Sequence, residues 1–247
     1  MQGIRDSFQT DLDDLLLLAQ GLLVLTGFGK DVINKSLGLS PDLDPYLLVP
    51  EPYLFKTNSE ARDLLEVLNI YTKHQTAVQE MIHGQFVQKW LDFLDRMFGQ
   101  ILDGHLSGRA SYPDLSGSIE LKLDLLDLSA ILGPNLIPII QESALRWFNF
   151  LKPEDKLKKI KKALKVASDE TLERAVKKHI LVRNLFQHNN GVLRQDDIDR
   201  LGLKAITLLD DFNKPIEFKV GERLIVSFCE LNAVRDDLYK MASLLIK

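Results

Sequence analysis

Within QFVQKWLDFLDRMFGQILDGHL, residues 85–106, the large apolar side chains Phe86, Trp90, Phe93, Leu94, Met97 and Ile101 recur every three or four positions. An α-helix turns about 100° per residue, so this spacing stacks all of them on one stripe that must be covered. A strand would scatter them over both faces. The spacing returns near the C-terminus, where Leu224, Phe228, Leu231, Val234, Leu238, Met241 and Leu245 predict a last helix over about 221–246. Two long stripes of this kind constrain the chain more than any other feature. The expected class is all-α, a multi-helix bundle packed around shared apolar seams.

Other segments fit that class. Residues 6–26 predict a first helix and 31–37 a short second one. PDLDPYLLVPEPY, 41–53, carries four prolines and reads as irregular. Asn58 or Ser59 is a cap for a helix reaching about residue 72. GRASYPDLSGS, 108–118, is a loop, and 119–129 fits an extended piece or a short helix equally well. Gly133 and Pro134 punctuate that stretch, and residues 135–149 predict a helix with Pro138 near its start. Pro153 opens PEDKLKKIKKALK, Asp169 caps the next helix, and Asp196 and Asp197 start another short one. KPIEFKV, 214–220, reads as extended. No period of about 20–50 residues marks a solenoid.

Composition narrows the setting. The chain is 45% hydrophobic and 27% charged, which is globular rather than disordered. LLLLAQGLLVL, 15–25, falls short of the roughly 20 residues that span a bilayer. It follows Asp11, Asp13 and Asp14 rather than basic residues, so it does not read as a secretory signal. The single cysteine, Cys229, excludes an internal disulfide and suits a reducing compartment. A cytoplasmic protein with no membrane partner is expected. The net charge of −4 argues against a generally basic coat. Between Lys152 and Arg183, however, eleven Lys and Arg face five acids, a local +6. Such a run is either a solvated helix face or a field that gathers a polyanion.

That run leads into RNLFQHNNG, 183–191. On a helical wheel Arg183 falls inside the apolar arc formed by Val176, Ile180, Ala175, Val182 and Phe186. A guanidinium there needs a carboxylate, a set of acceptors, a phosphate or a wet interface. Asn184 and His188, four residues apart, project from one side a turn apart. Asn189, Asn190 and Gly191 tolerate the left-handed conformation that ends helices. His188 therefore sits at a helix C-terminus, and an imidazole exchanges protons near neutrality. A phosphate-binding fork beside a proton-transfer group is the minimum for metal-free RNA cleavage. The plain alternative is a capped helix end, with Arg183 paired to a core acid such as Asp95.

Arg183-Asn184-Leu185-Phe186-Gln187-His188 resembles the R-x4-6-H motif of the HEPN superfamily, the higher-eukaryote and prokaryote nucleotide-binding domains, where a small polar residue commonly follows the arginine. The continuation is similar too: HNNGVL, a short acidic segment, an extended piece and a long final helix. WLDFLDRMFGQILDGHL resembles the first long helix of those domains, with Asp95 as the acid that interrupts its apolar stripe. The resemblance covers roughly residues 75–247 and divides the chain into a 1–72 N-terminal helical extension and a 73–247 HEPN-like helical domain.

The resemblance implies a homodimer in which Arg and His of both protomers converge in one cleft. It implies a metal-independent endoribonuclease that needs no cofactor, of the kind used as toxins or in antiphage defence and stress, with an antitoxin or regulatory protein as a further partner. Other members have lost catalysis and bind nucleotides or proteins. Carried over, Arg183 holds the scissile phosphate, Asn184 orients it and His188 transfers protons. Lys158, Lys161, Lys162, Lys177 and Lys178 would border the cleft and guide the RNA backbone.

Other chemistry finds no support. GFG at 27–29 is a lone G-x-G, and no Walker loop, H-E-x-x-H, cysteine pair or G-x-S-x-G is present. His74, His83, His105 and His179 show no metal-ligand spacing with acids, and His179 falls within the apolar arc as a core histidine. Trp90 and Trp147 lie in helical stripes as core or interface residues.

Overall fold

The structure is a computed structural model that describes residues 1–39, 46–47, 62–63, 74, 76–115 and 136–246. It is all-α, as the apolar spacing predicts. The helices are α1 (Gln2–Leu39), α2 (Ala77–Leu106), α3 (Leu136–Asn149), α4 (Pro153–Leu164), α5 (Glu170–Asn189), α6 (Gln195–Leu201) and α7 (Phe228–Leu245). Two small antiparallel pairs accompany them. In the first, β1 (Tyr46–Leu47) meets β2 (Arg62–Asp63), and in the second β3 (Ile206–Leu209) meets β4 (Pro215–Phe218) in the register Ile206↔Phe218.

α2 is the centre of the bundle. Phe86, Trp90, Phe93, Leu94, Met97 and Ile101 are all buried, so the stripe read from the sequence is the seam itself. α1 covers it with Phe8, Leu12, Leu16 and Ala19, and the Phe8 ring stacks on Phe93 at 4.6 Å. α3 brings Phe148 flat against Phe98, centroids 3.9 Å apart. α7 closes the core with Leu231, Val234, Leu238, Met241 and Leu245. Each such side chain stabilises the fold by about 1.5–3 kcal/mol through removal from water. The first helix thus shares one core with the C-terminal helices.

Several boundaries differ from expectation. α1 runs without a break through Gly21 and Gly27, where two helices were expected. Residues 62–63, expected inside a helix, form β2, and the rest of that expected helix lies outside the described residues, as do 119–129 and the Gly133-Pro134 pair. α7 begins at Phe228 rather than near 221, because Ser227 accepts the Glu230 N–H at 3.0 Å and caps it there. Leu224 is buried, but it belongs to an extended segment whose neighbour Arg223 bridges to Val192. β4 matches the extended reading of 214–220, whereas β3 was not anticipated. Pro153 at the start of α4 and the Asp169 cap of α5, whose carboxylate accepts the Leu172 N–H at 3.0 Å, stand where expected.

Candidate functional site

α5 carries the R-x4-H segment, and both sides of it are covered. Val176, His179 and Val182 are buried on the arc expected to be apolar, but Leu181 and Leu185 on the far side are buried as well. Arg183 therefore occupies one of the few seams left open. Its guanidinium lies half-buried in a groove of about 410 Å³ between α5 and the start of α2, lined by Glu80, Met81, Gln85, Gln88, Phe186 and Gln187 among others.

The guanidinium is held by amides. Nη1 donates to Asn184 Oδ1 at 3.2 Å and Nη2 to Gln88 Oε1 at 3.4 Å. Among the described residues no carboxylate lies within ion-pair distance of it. Asp95, the acid the sequence offers as its partner, instead takes Lys156 at 2.6 Å. Glu80, which lines the same groove, is engaged by Arg223, whose Nη2 donates to both its oxygens at 2.8 and 2.9 Å. Arg183 is thus a positive charge oriented by neutral acceptors, with donors to spare.

Arg183 and Asn184 are brought together, but His188 is not part of the same groove. It is exposed and makes no side-chain hydrogen bond or ion pair with a described residue. It lies one turn beyond Asn184 in the last turn of α5, at the negative end of the helix dipole. The helix stops just past it. Asn190 adopts φ 51°, Gly191 has φ 76°, and the Gly191 N–H returns to the Leu185 carbonyl at 3.0 Å. Arg223 fixes this end: its Nε donates to the Asn190 carbonyl at 3.1 Å and its guanidinium covers the Phe186 ring. Arg223, Glu80 and Gln88 carry no signal in the sequence that ties them to the motif, since each lies far along the chain from it. The one legible trace is the stripe Ala77, Met81, Gly84, Gln85 and Gln88, which leaves the face of α2 opposite Trp90 short of large apolar groups.

Of the five lysines that the resemblance assigns to the RNA backbone, three are engaged within the fold. Lys161 is buried, its ammonium bonded to Glu173 and to Ser168 Oγ. Lys178 is half-buried, 2.9 Å from the buried Glu230. Lys177 lies 3.7 Å from Glu154. Lys158 and Lys162 are exposed, and Lys158 has only a loose 4.0 Å pairing with Asp155.

Below the groove lies a second polar group. His179, buried as the wheel places it, has Nε2 2.9 Å from Asp237 and Nδ1 3.6 Å from Glu230. His83 of α2 packs edge-on against it, centroids 6.0 Å apart. Burial lowers the pKa of both imidazoles, most strongly for His83, where neighbouring His179 and Lys178 push the same way. For His179 the hydrogen bond to Asp237 works against that lowering. The Asp237 carboxyl is held below its ordinary value: burial pushes it upward, but the hydrogen bond with His179 together with the positive charges of His179, Lys178 and Lys240 outweighs that.

Among the described residues no cluster of His, Cys, Asp and Glu is suited to hold a metal ion, and no helix is long and apolar enough to cross a membrane. Comparison of the chain with family models, with curated proteins and with solved structures returns no match.

Proposed function

We propose that the chain is a HEPN-type, metal-independent endoribonuclease acting as a homodimer in a toxin, defence or stress role in the cytoplasm. The carrying observation is the Arg183 guanidinium, half-buried in an open groove and oriented by the Asn184 and Gln88 amides with no carboxylate among the described residues to neutralise it. A cation so prepared favours an oxyanion over every neutral ligand.

In this reading Arg183 binds a non-bridging oxygen of the scissile phosphate and stabilises the charge that grows there. Asn184, whose Oδ1 is occupied by Arg183, keeps its amide N–H groups for the same phosphate. The ribose 2′-oxygen attacks phosphorus, its proton passes to a base, the bond from phosphorus to the 5′-oxygen breaks, and that oxygen receives a proton. The products are a 2′,3′-cyclic phosphate and a 5′-hydroxyl. His188 is the proton-transfer group. It stands outside its own Arg183 groove, so the complete site uses a second protomer, as the resemblance to HEPN domains implies. In this reading Lys158 and Lys162, both exposed, meet the RNA backbone.

Purified protein incubated with single-stranded RNA in EDTA tests this. The wild type cleaves. His188→Ala and Arg183→Ala each lose at least about a hundredfold in rate with an unchanged circular dichroism spectrum. Cleavage untouched by either substitution overturns the site. The isolation of His188 from the groove favours one second reading, a catalytically silent module that binds RNA or a protein partner through Arg183 alone. Its signature is no cleavage by the wild type, with binding that Arg183→Ala abolishes and His188→Ala leaves intact.

A further inference from the structure

We propose that the contact between His83 and His179 is a proton-sensitive latch, which holds α2 on α5 beneath the Arg183 groove while the imidazoles are neutral and releases it when His83 takes up a proton. The device is independent of what the groove binds.

Position makes it a latch. His179 is one helical turn before Arg183 on α5, and His83 is five residues before Gln88 on α2. Both contacts, Arg183 with Gln88 and His83 with His179, join the same two helices, α5 and α2, within two turns of each other. α7 packs against the pair from the third side with Glu230 and Asp237.

The asymmetry between the imidazoles decides which one responds. His179 has an acceptor, Asp237, for its Nε2 proton. Glu230 is already served by Lys178 and by the backbone N–H of Leu209 at 2.8 Å, so it has little left for either ring. His83 is fully buried, and neither of its ring nitrogens has a hydrogen-bond partner among the described residues. Its neighbour Gln79 Oε1 is unpartnered as well. The charged groups facing His83 are Lys178 and, when protonated, His179, both of the wrong sign. A proton on His83 thus creates a buried cation with no anion in contact, which a packed interior tolerates only by opening. Protonation of buried histidines near pH 5–6 is a known way to separate packed elements.

The sign follows from burial. The folded state holds the His83 pKa below its unfolded value of about 6.5, so the unfolded or opened state binds the extra proton. The stabilisation is complete above that value and is lost as pH falls from it towards the lowered folded pKa. Between pH 7.5 and 5.5 one such histidine raises the opening equilibrium constant by about tenfold.

Two measurements on the full chain test the latch. Urea unfolding at pH 7.5 and 5.5 is compared for wild type and His83→Leu, with His83→Phe as a second replacement if the leucine variant does not fold. The apolar variant is expected to lose about tenfold of the wild-type pH dependence of the unfolding constant. Amide exchange in 79–88 and 179–188, corrected for the intrinsic effect of pH, should accelerate at pH 5.5 about tenfold more in wild type than in the variant, which keeps His179. An equal pH dependence in wild type and variant overturns the proposal. So does a His83 imidazole that titrates near 6.5 in the NMR spectrum of the folded wild type, a result that needs no variant at all.

Discussion

The turn that ends α5 gives the sharpest test of how this structure holds its groove. Gly191 has φ 76°, and a Cβ placed there would lie 2.6 and 2.9 Å from Cε1 and Cδ1 of Phe186, with Arg223 Cγ at 3.5 Å. Gly191→Ala therefore incurs two costs. The left-handed backbone costs an alanine about 1–2 kcal/mol, and forcing the Phe186 ring aside costs about 1–3 kcal/mol more. Phe186 cannot yield freely, because its ring carries the Arg223 guanidinium, which in turn is bonded to Asn190 and Glu80. The expected loss is about 3 kcal/mol in urea unfolding followed by circular dichroism, with an unchanged slope. Gly202→Ala is the control. Its φ is 65°, yet nothing stands within 4 Å of the added carbon, so it incurs the backbone cost alone. A Gly191→Ala variant no less stable than Gly202→Ala refutes the claim that Phe186 and Arg223 are packed tightly onto the turn.

Two further outcomes are expected. Arg223 and Glu80 should couple by about 0.5–1 kcal/mol in a double-mutant cycle of Arg223→Ala and Glu80→Gln, a modest figure because the arginine is largely exposed; additivity within error would show that the ion pair does not fasten the α5 terminus to α2. Lys156→Ala should cost about 2 kcal/mol, because it removes a buried stem and leaves the half-buried Asp95 carboxylate without that partner. The double replacement Lys156→Met/Asp95→Leu should recover most of that loss, and thermal melts of the two variants that coincide would contradict it.

What could be read ahead of the structure divides by physical range. The stripe from Phe86 to Ile101 fixed α2 because helical spacing is a local property and burial is demanded of every member at once. Pro153, Asp169 and the Asn-Asn-Gly stop were legible for the same reason, since caps act within a turn. The start of α7 was misplaced because Leu224 belongs to the apolar pattern but not to the helix. It is buried through an extended segment that pairs with Val192, a contact set by tertiary structure. β3 escaped notice because ITLL is four residues long and needs β4 before it has a register. The lysine pairings were not legible. On α4 the buried face is Lys156, Leu157, Ile160 and Lys161, so two ammonium groups flank the apolar pair and turn inward to Asp95 and Glu173. Neither acid can be matched to its lysine from spacing alone.

The charge state of the groove is the same problem in its most consequential form. The acids of α2 and α7 that could have served a cation such as Arg183 are already paired, and of them Glu80 lines its groove. Asp95 is taken by Lys156, Glu80 by Arg223 and Glu230 by Lys178. Each pairing joins residues far apart in sequence, and exchanging any one of them would leave a carboxylate seeking a cation. A guanidinium on an apolar arc is ambiguous in the sequence, where it could equally be a satisfied structural charge. In the fold it has no carboxylate partner among the described residues, and it is held by two amide oxygens that orient it without cancelling it. That arrangement costs the protein stability, since a half-buried charge without a counter-charge is unfavourable. In the proposed reading that cost is offset when an anionic ligand binds in the groove.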